Sequence, residues 1–131
     1  MWLFTVYGFY SVVDAQRVTH HPSKDDPMLV RARVRAHLVT LKKVCAHIPG
    51  VAEAKVSRTP NKDYLYRMQL PRDAAAACVA CLMERNVAHN FKGACRNNVD
   101  DGCLDAKYEE ALHAVWKVMY GIQPPGGMYD K

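Results

Sequence analysis

MLVRARVR, the run from Met28 to Arg35, decides the fold. Arg31, Arg33 and Arg35 alternate with Val30, Ala32 and Val34, and successive side chains of a strand point to opposite faces of a sheet. The run is therefore predicted to be a strand over 28–35, burying an aliphatic row and displaying three guanidiniums on the other face. Like charges at that spacing repel one another. An anion, a set of carboxylates or water must accommodate them.

Working outward, Leu38, Leu41, Val44, Cys45 and Ile48 recur at helical spacing with Lys42 and Lys43 facing out, and Pro49-Gly50 stops that helix. Upstream, MWLFTVYGFYSVVDA is aromatic and β-branched, with Gly8 where a bend or bulge would fall, and reads as a buried strand or pair of strands. The polar stretch 15–27, with two prolines, is a loop. Downstream, 51–58 and 64–70 alternate like two strands joined by a hairpin loop at Thr59 to Asp63. Tyr64, Tyr66, Met68 and Leu70 form one stripe of the second of these strands, most simply core. Facing outward beside arginines, the same tyrosines would make a platform for single-stranded nucleic acid.

An alanine-rich helix follows from Pro71 to about Glu84. Residues 86–104 are less regular, with Asn97-Asn98 and Asp100-Asp101-Gly102 as turn signals. A last helix starts at Asp105 as N-cap, carries Tyr108, Leu112, Val115, Trp116 and Met119 on one stripe, and ends at Gly121. The expected fold is α+β: an antiparallel sheet of about four strands in ββαββα order plus a C-terminal helix, helices on one face. One domain is expected over 1–122, with a mobile tail over 123–131. The uncovered face is expected to carry Arg31, Arg33, Arg35, Lys55, Arg67 and Gln69, with Tyr7 or Tyr10 nearby.

The chain has 131 residues, enough for one core, and a formal net charge of +5. That balance favours acidic partners without choosing among them. No apolar run is long enough to span a bilayer, and the apolar opening lacks a basic leader. An odd count of five cysteines then argues for reduced thiols and a cytoplasmic location.

Several segments together resemble a small uncharacterised family of bacterial proteins. They are Trp2-Leu3-Phe4-Thr5, Gly8-Phe9-Tyr10-Ser11-Val12-Val13, the strand Val30 to Val34, Tyr64-x-Tyr66-Arg67, Asn90-Phe91-Lys92, and Val115-Trp116 with Gln123. The resemblance covers most of the chain, departing at 93–104 and in the Pro-Gly tail. It supports the domain boundaries and supplies no catalytic residues. Independently of it, Phe91 reads as a core plug, with Lys92 either a polar edge or a further cation beside the arginine row.

Other constellations give little chemistry. Cys78-Val79-Ala80-Cys81 has the spacing of a zinc or redox pair, but zinc needs four ligands and a redox pair sits at a helix start. Here it falls inside an apolar helix, where small hydrophobic packing is its role. Cys95 and Cys103 bracket a turn. His20-His21 with Asp25 and Asp26 has the composition of a metal site and equally that of a polar loop. Cys45 and His47 point in different directions on a helix. Glu109-Glu110 suits the first turns of a helix. No phosphate loop, dinucleotide fingerprint or nucleophile elbow is present.

No catalytic residue, cofactor or metal site is therefore expected, and three functions compete. A non-enzymatic module could set its arginine face on an acidic protein partner or on a second copy of itself, since arginine pairs bidentately with carboxylates. Small proteins of phages and mobile elements that block host defences have this size and lack enzymatic motifs, which gives that reading a specific form by analogy. The same face could contact nucleic-acid phosphates. A small cysteine- or histidine-dependent enzyme is the third. The first leads, because three arginines on one short strand make a compact patch and not a groove.

Overall fold

The strand at Met28 stops earlier than its alternation. A computed structural model describes residues 1–16, 21–86, 90–100 and 104–122. In it the run forms β3, Pro27–Ala32. Arg33 and Val34 make a bend, and Arg35 is already the first residue of helix α1, Arg35–Val44. The three arginines are thus not one strand row. Two neighbours enforce the stop. The register of β3 with its partner ends at Ala32 opposite Tyr66. On the other side, the Phe9 amide that a longer strand would meet donates to His37 Nδ1 of α1 at 3.3 Å.

Five strands form the sheet: β1 (Trp2–Thr5), β2 (Gly8–Asp14), β3, β4 (Ser57–Arg58) and β5 (Tyr66–Pro71). Their order is β1-β2-β3-β5-β4, and every pairing is antiparallel. Because β5 lies between β3 and β4 and opposes both, those two run parallel across α1, a split β-α-β unit. Helix α2, Arg72–Glu84, follows β5 directly. The protein is α+β, with an antiparallel sheet of five strands where about four were expected.

One face of this sheet is core. Tyr10 and Val12 of β2, Met28, Val30 and Ala32 of β3, and Met68 and Leu70 of β5 join Leu38 and Leu41 of α1 and Ala75, Cys78 and Leu82 of α2 in one cluster. Both helices therefore cover the same face. Each fully buried large side chain here contributes about 1.5–3 kcal/mol relative to exposure. Tyr10 belongs to this face, where its hydroxyl donates to the His37 carbonyl at 2.9 Å. Tyr7 also packs against the core, so neither tyrosine joins the arginines. Gly8 permits the close approach of α1: its φ is +146°, and a Cβ there would lie 2.5 Å from His37 Cγ.

Two further expectations change. The apparent strand 51–58 shrinks to Ser57–Arg58, because the chain continues past Cys45 in successive turns, with Val51 N donating to Ile48 O and Ala54 N to Val51 O. Val51 is fully buried all the same, so its apolar character marks a turn anchor rather than a strand face. The hairpin loop before β5 forms as expected, with Asn61 in the left-handed region at φ 64°.

The chain divides into two compact units, Met1–Val87 and Ala88–Lys131. The second holds α3 (Phe91–Asp100) and α4 (Ala106–Tyr120). Helix α3 occupies the stretch expected to be irregular. Asn90 starts it, accepting Gly93 N at its side-chain oxygen and Ala94 N at its carbonyl, and Asn97 and Asn98 lie within it. Asp105 caps α4 by accepting Lys107 N at 2.7 Å. Of the expected α4 stripe, Tyr108 and Leu112 are buried while Trp116 and Met119 stand exposed. The tail over 123–131, Gln123, Cys103 and the turn at Asp101-Gly102 lie outside the described residues.

Candidate functional site

The sheet face opposite α1 and α2 carries Trp2 and Phe4 of β1, Phe9, Ser11 and Val13 of β2, Leu29 and Arg31 of β3, and Arg67 and Gln69 of β5, as the register aligns them. Tyr64, just before β5, turns its ring onto this side and lies 6.2 Å from Phe9. Phe4 stacks on its cross-strand partner Phe9 at 4.6 Å, and Trp2 meets Phe9 edge-on at 6.1 Å. Cross-strand aromatic pairs of this kind each contribute roughly 0.2–1 kcal/mol. Trp2 is 67% exposed.

Beside these rings sit the cations. The Arg31 and Arg33 guanidiniums lie over the Tyr64 ring, 4.5 and 4.7 Å from its centroid. Ring faces are electron-rich, which lets two like charges share one neighbourhood. Arg31 also donates to the buried Ser11 hydroxyl at 2.8 Å, and Arg33 to the carbonyl and carboxylate of Asp63 at 2.9 and 3.1 Å. Arg67 stands directly opposite Arg31 in the register and donates to the Tyr64 carbonyl at 3.3 Å. Three buried atoms of the cluster, Tyr64 Oη, Arg31 Nε and Arg67 Nε, have no hydrogen-bond partner among the described residues. Stacking and hydrogen bonds together hold the cluster.

Of the five first-unit cations expected to form one surface, Arg31, Arg33 and Arg67 come together. Arg35 and Lys55 meet elsewhere, with Lys42 and Lys43, around an open depression of about 580 Å³ beside α1. Lys92 lies in the second unit, its ammonium 4.4 Å from the Trp116 ring centroid. Gln69 takes the expected face.

The sequence pattern does not single out the aromatic half of the sheet surface, Trp2, Phe4 and Phe9, because the whole opening segment reads as apolar. The tight turn at Val6-Tyr7 was the available signal. It sets Phe4 opposite Phe9 and Trp2 opposite Ser11, placing their side chains in register on one face.

The described cysteines and carboxylates of the other candidates make contacts within the fold. Cys78 and Cys81 lie inside α2, facing Cys45 at the end of α1. Cys45 Sγ donates to the Cys78 carbonyl at 4.0 Å and Cys81 Sγ to the Val44 carbonyl at 3.8 Å. Hydrogen bonding with Cys78, then burial, pushes the Cys45 thiol well up, and the same bond pushes Cys78 down. Burial foremost raises Cys81, and burial raises Cys95. All four are free and buried. Asp14 and Asp26 flank Arg72 at the start of α2, at 2.9 and 3.9 Å. Glu109 faces His113 along α4 at 3.8 Å. His20 lies outside the described residues. Among those described, no group of three metal-ligating side chains converges, and no helix is long and apolar enough to cross a membrane.

No family model matches the chain, and no match is found among curated proteins or solved structures.

Proposed function

We propose that this protein is a non-enzymatic binding module that sets the aromatic and arginine face of its sheet against an acidic protein partner. The observation that carries this is the continuity of Trp2, Phe4 and Phe9 with the Arg31 and Arg33 stack on Tyr64. Tryptophan, tyrosine and arginine are the residues that dominate protein interfaces. Arginines already held over a ring lose less freedom on meeting a carboxylate, which favours affinity.

A nucleic-acid strand contacting phosphates through this face is the second reading, favoured by the rings themselves. A single strand needs successive free ring faces on which bases stack. Phe4 already covers Phe9, and two guanidiniums lie over Tyr64, which leaves few faces in series. That favours protein.

The test is capture of partners by tagged protein from a bacterial lysate, with and without nuclease, comparing wild type with Trp2→Ala/Phe4→Ala. Both rings lie on the edge strand, so the variant should stay folded, checked by circular dichroism. A discrete protein band that survives nuclease and is lost in the variant is the expected result. Bands lost entirely on nuclease treatment would transfer the function to nucleic acid. A band retained by the variant would remove this face from the function.

A further inference from the structure

We propose that the depression beside α1 binds a small molecule carrying two or more phosphate groups. This site is separate from the sheet face and does not depend on the role proposed for it.

Four cations, Arg35, Lys42, Lys43 and Lys55, line the depression, and among the described residues no acidic one does. Arg35 and Lys42 lie on the same side of α1 about two turns apart, Lys43 follows one position further round the helix, and Lys55 comes from the segment before β4. None of the four forms an ion pair with a described residue. The contrast with Arg33 and Arg72, each beside a carboxylate, is direct. Four unpaired like charges around one concavity repel one another, and a polyanion relieves that repulsion.

Helix α1 adds to the effect at its start. Its first turn has no acidic residue, Val34 provides no side-chain cap, and Arg35 is the first helical residue. A cation at the positive end of a helix is unfavourable, and an anion beside it offsets both charge and dipole. Lys42 and Lys43, in the last turn, sit where cations are favoured. The aliphatic floor between them is the half-buried pair Val39 and Val56, and the lining alanines, Ala46 and Ala52, are exposed. A volume of about 580 Å³ is the size of a small-ligand site. Charge at the rim and an apolar floor suit a ligand with a phosphate chain and a flat apolar part, as in a nucleoside triphosphate.

The test is titration calorimetry with inorganic tripolyphosphate and, separately, adenosine triphosphate. Wild type is compared with Lys43→Glu/Lys55→Glu and with a control of equal charge change, Arg58→Glu/Lys62→Glu. All four substituted residues are exposed, so the folds should be retained, checked by circular dichroism. Tripolyphosphate is expected to bind once per chain, about tenfold or more weaker in the first variant and within about threefold of wild type in the control. Raising salt from about 50 to 300 mM should weaken wild-type binding, because exposed charges are screened. Adenosine triphosphate should bind more tightly than tripolyphosphate if the floor contributes. No binding of either compound at millimolar concentration, or equal loss in both variants, would overturn the site. Tripolyphosphate binding as tightly as the nucleotide would overturn the role of the floor.

Discussion

The two basic surfaces of the first unit are built from neighbouring residues and behave as opposites. On the sheet, the Arg31 and Arg33 guanidiniums lie over Tyr64 and hydrogen-bond to Ser11 and Asp63. Beside α1, Arg35, Lys42, Lys43 and Lys55 ring a concavity without a carboxylate among them. Only two positions separate Arg33 from Arg35, yet the end of β3 at Ala32 sends them to different surfaces. The lesson is that a cation's meaning is set by what its backbone element places next to it. On the sheet, arginine is part of the packing. At the depression, it is available charge.

The largest expected effect strikes both surfaces at once. Gly8 joins the aromatic hairpin to α1, and Gly8→Ala would force a Cβ into the His37 ring at a φ that side chains disfavour. A loss of at least about 3 kcal/mol is expected in urea unfolding, from overpacking and backbone strain together. A loss below about 1 kcal/mol would mean that the hairpin and α1 are not coupled there.

Tyr64 separates the surfaces. Tyr64→Ala removes the buried ring under two guanidiniums and should cost about 3 kcal/mol in the same assay. Tyr64→Phe keeps the ring and deletes a buried hydroxyl that has no hydrogen-bond partner among the described residues, so stability should be unchanged or rise by up to about 1 kcal/mol. A marked loss in Tyr64→Phe would show that the hydroxyl, and not the stack, holds the cluster.

A pair of double variants compares the surfaces directly. Arg31→Ala/Arg33→Ala should cost about 1–2 kcal/mol through lost stacking and the bond to Ser11. Lys43→Ala/Lys55→Ala should stay within about 0.5 kcal/mol of wild type. Equal costs would erase the distinction.

Much of this contrast was hidden in the chain for identifiable reasons. The periodicity of Leu38, Leu41 and Cys45 placed α1, and Asp105 and Gly121 bounded α4, because amphipathic spacing and capping are local properties. The alternation through Arg35 failed because strand length depends on partners, and His37 takes the Phe9 amide that a longer β3 would have met. Helix α3 was concealed by Asn97 and Asn98, good turn formers that sit inside a helix begun at Asn90. The face of Trp2 and Phe4 required the hairpin register, which no single segment shows. Arg31 and Arg67 were legible on one face since each lies in a strand whose other side is plainly apolar.

The smallest effect asks which contact of Arg33 matters. Its ion pair with Asp63 is exposed, with the two side chains 54% and 74% accessible, so the pair is worth little. The stack on Tyr64 depends on a planar guanidinium, which an ammonium does not reproduce. Arg33→Lys should therefore cost about 0.5 kcal/mol, while Asp63→Asn should be neutral within about 0.3 kcal/mol. Arg35→Lys, at the other surface, should change nothing in unfolding, since charge alone is what that position offers. If Asp63→Asn proves the more costly of the first two, Arg33 is held by its carboxylate, and the sheet cations are closer in kind to those of the depression than the ring geometry implies.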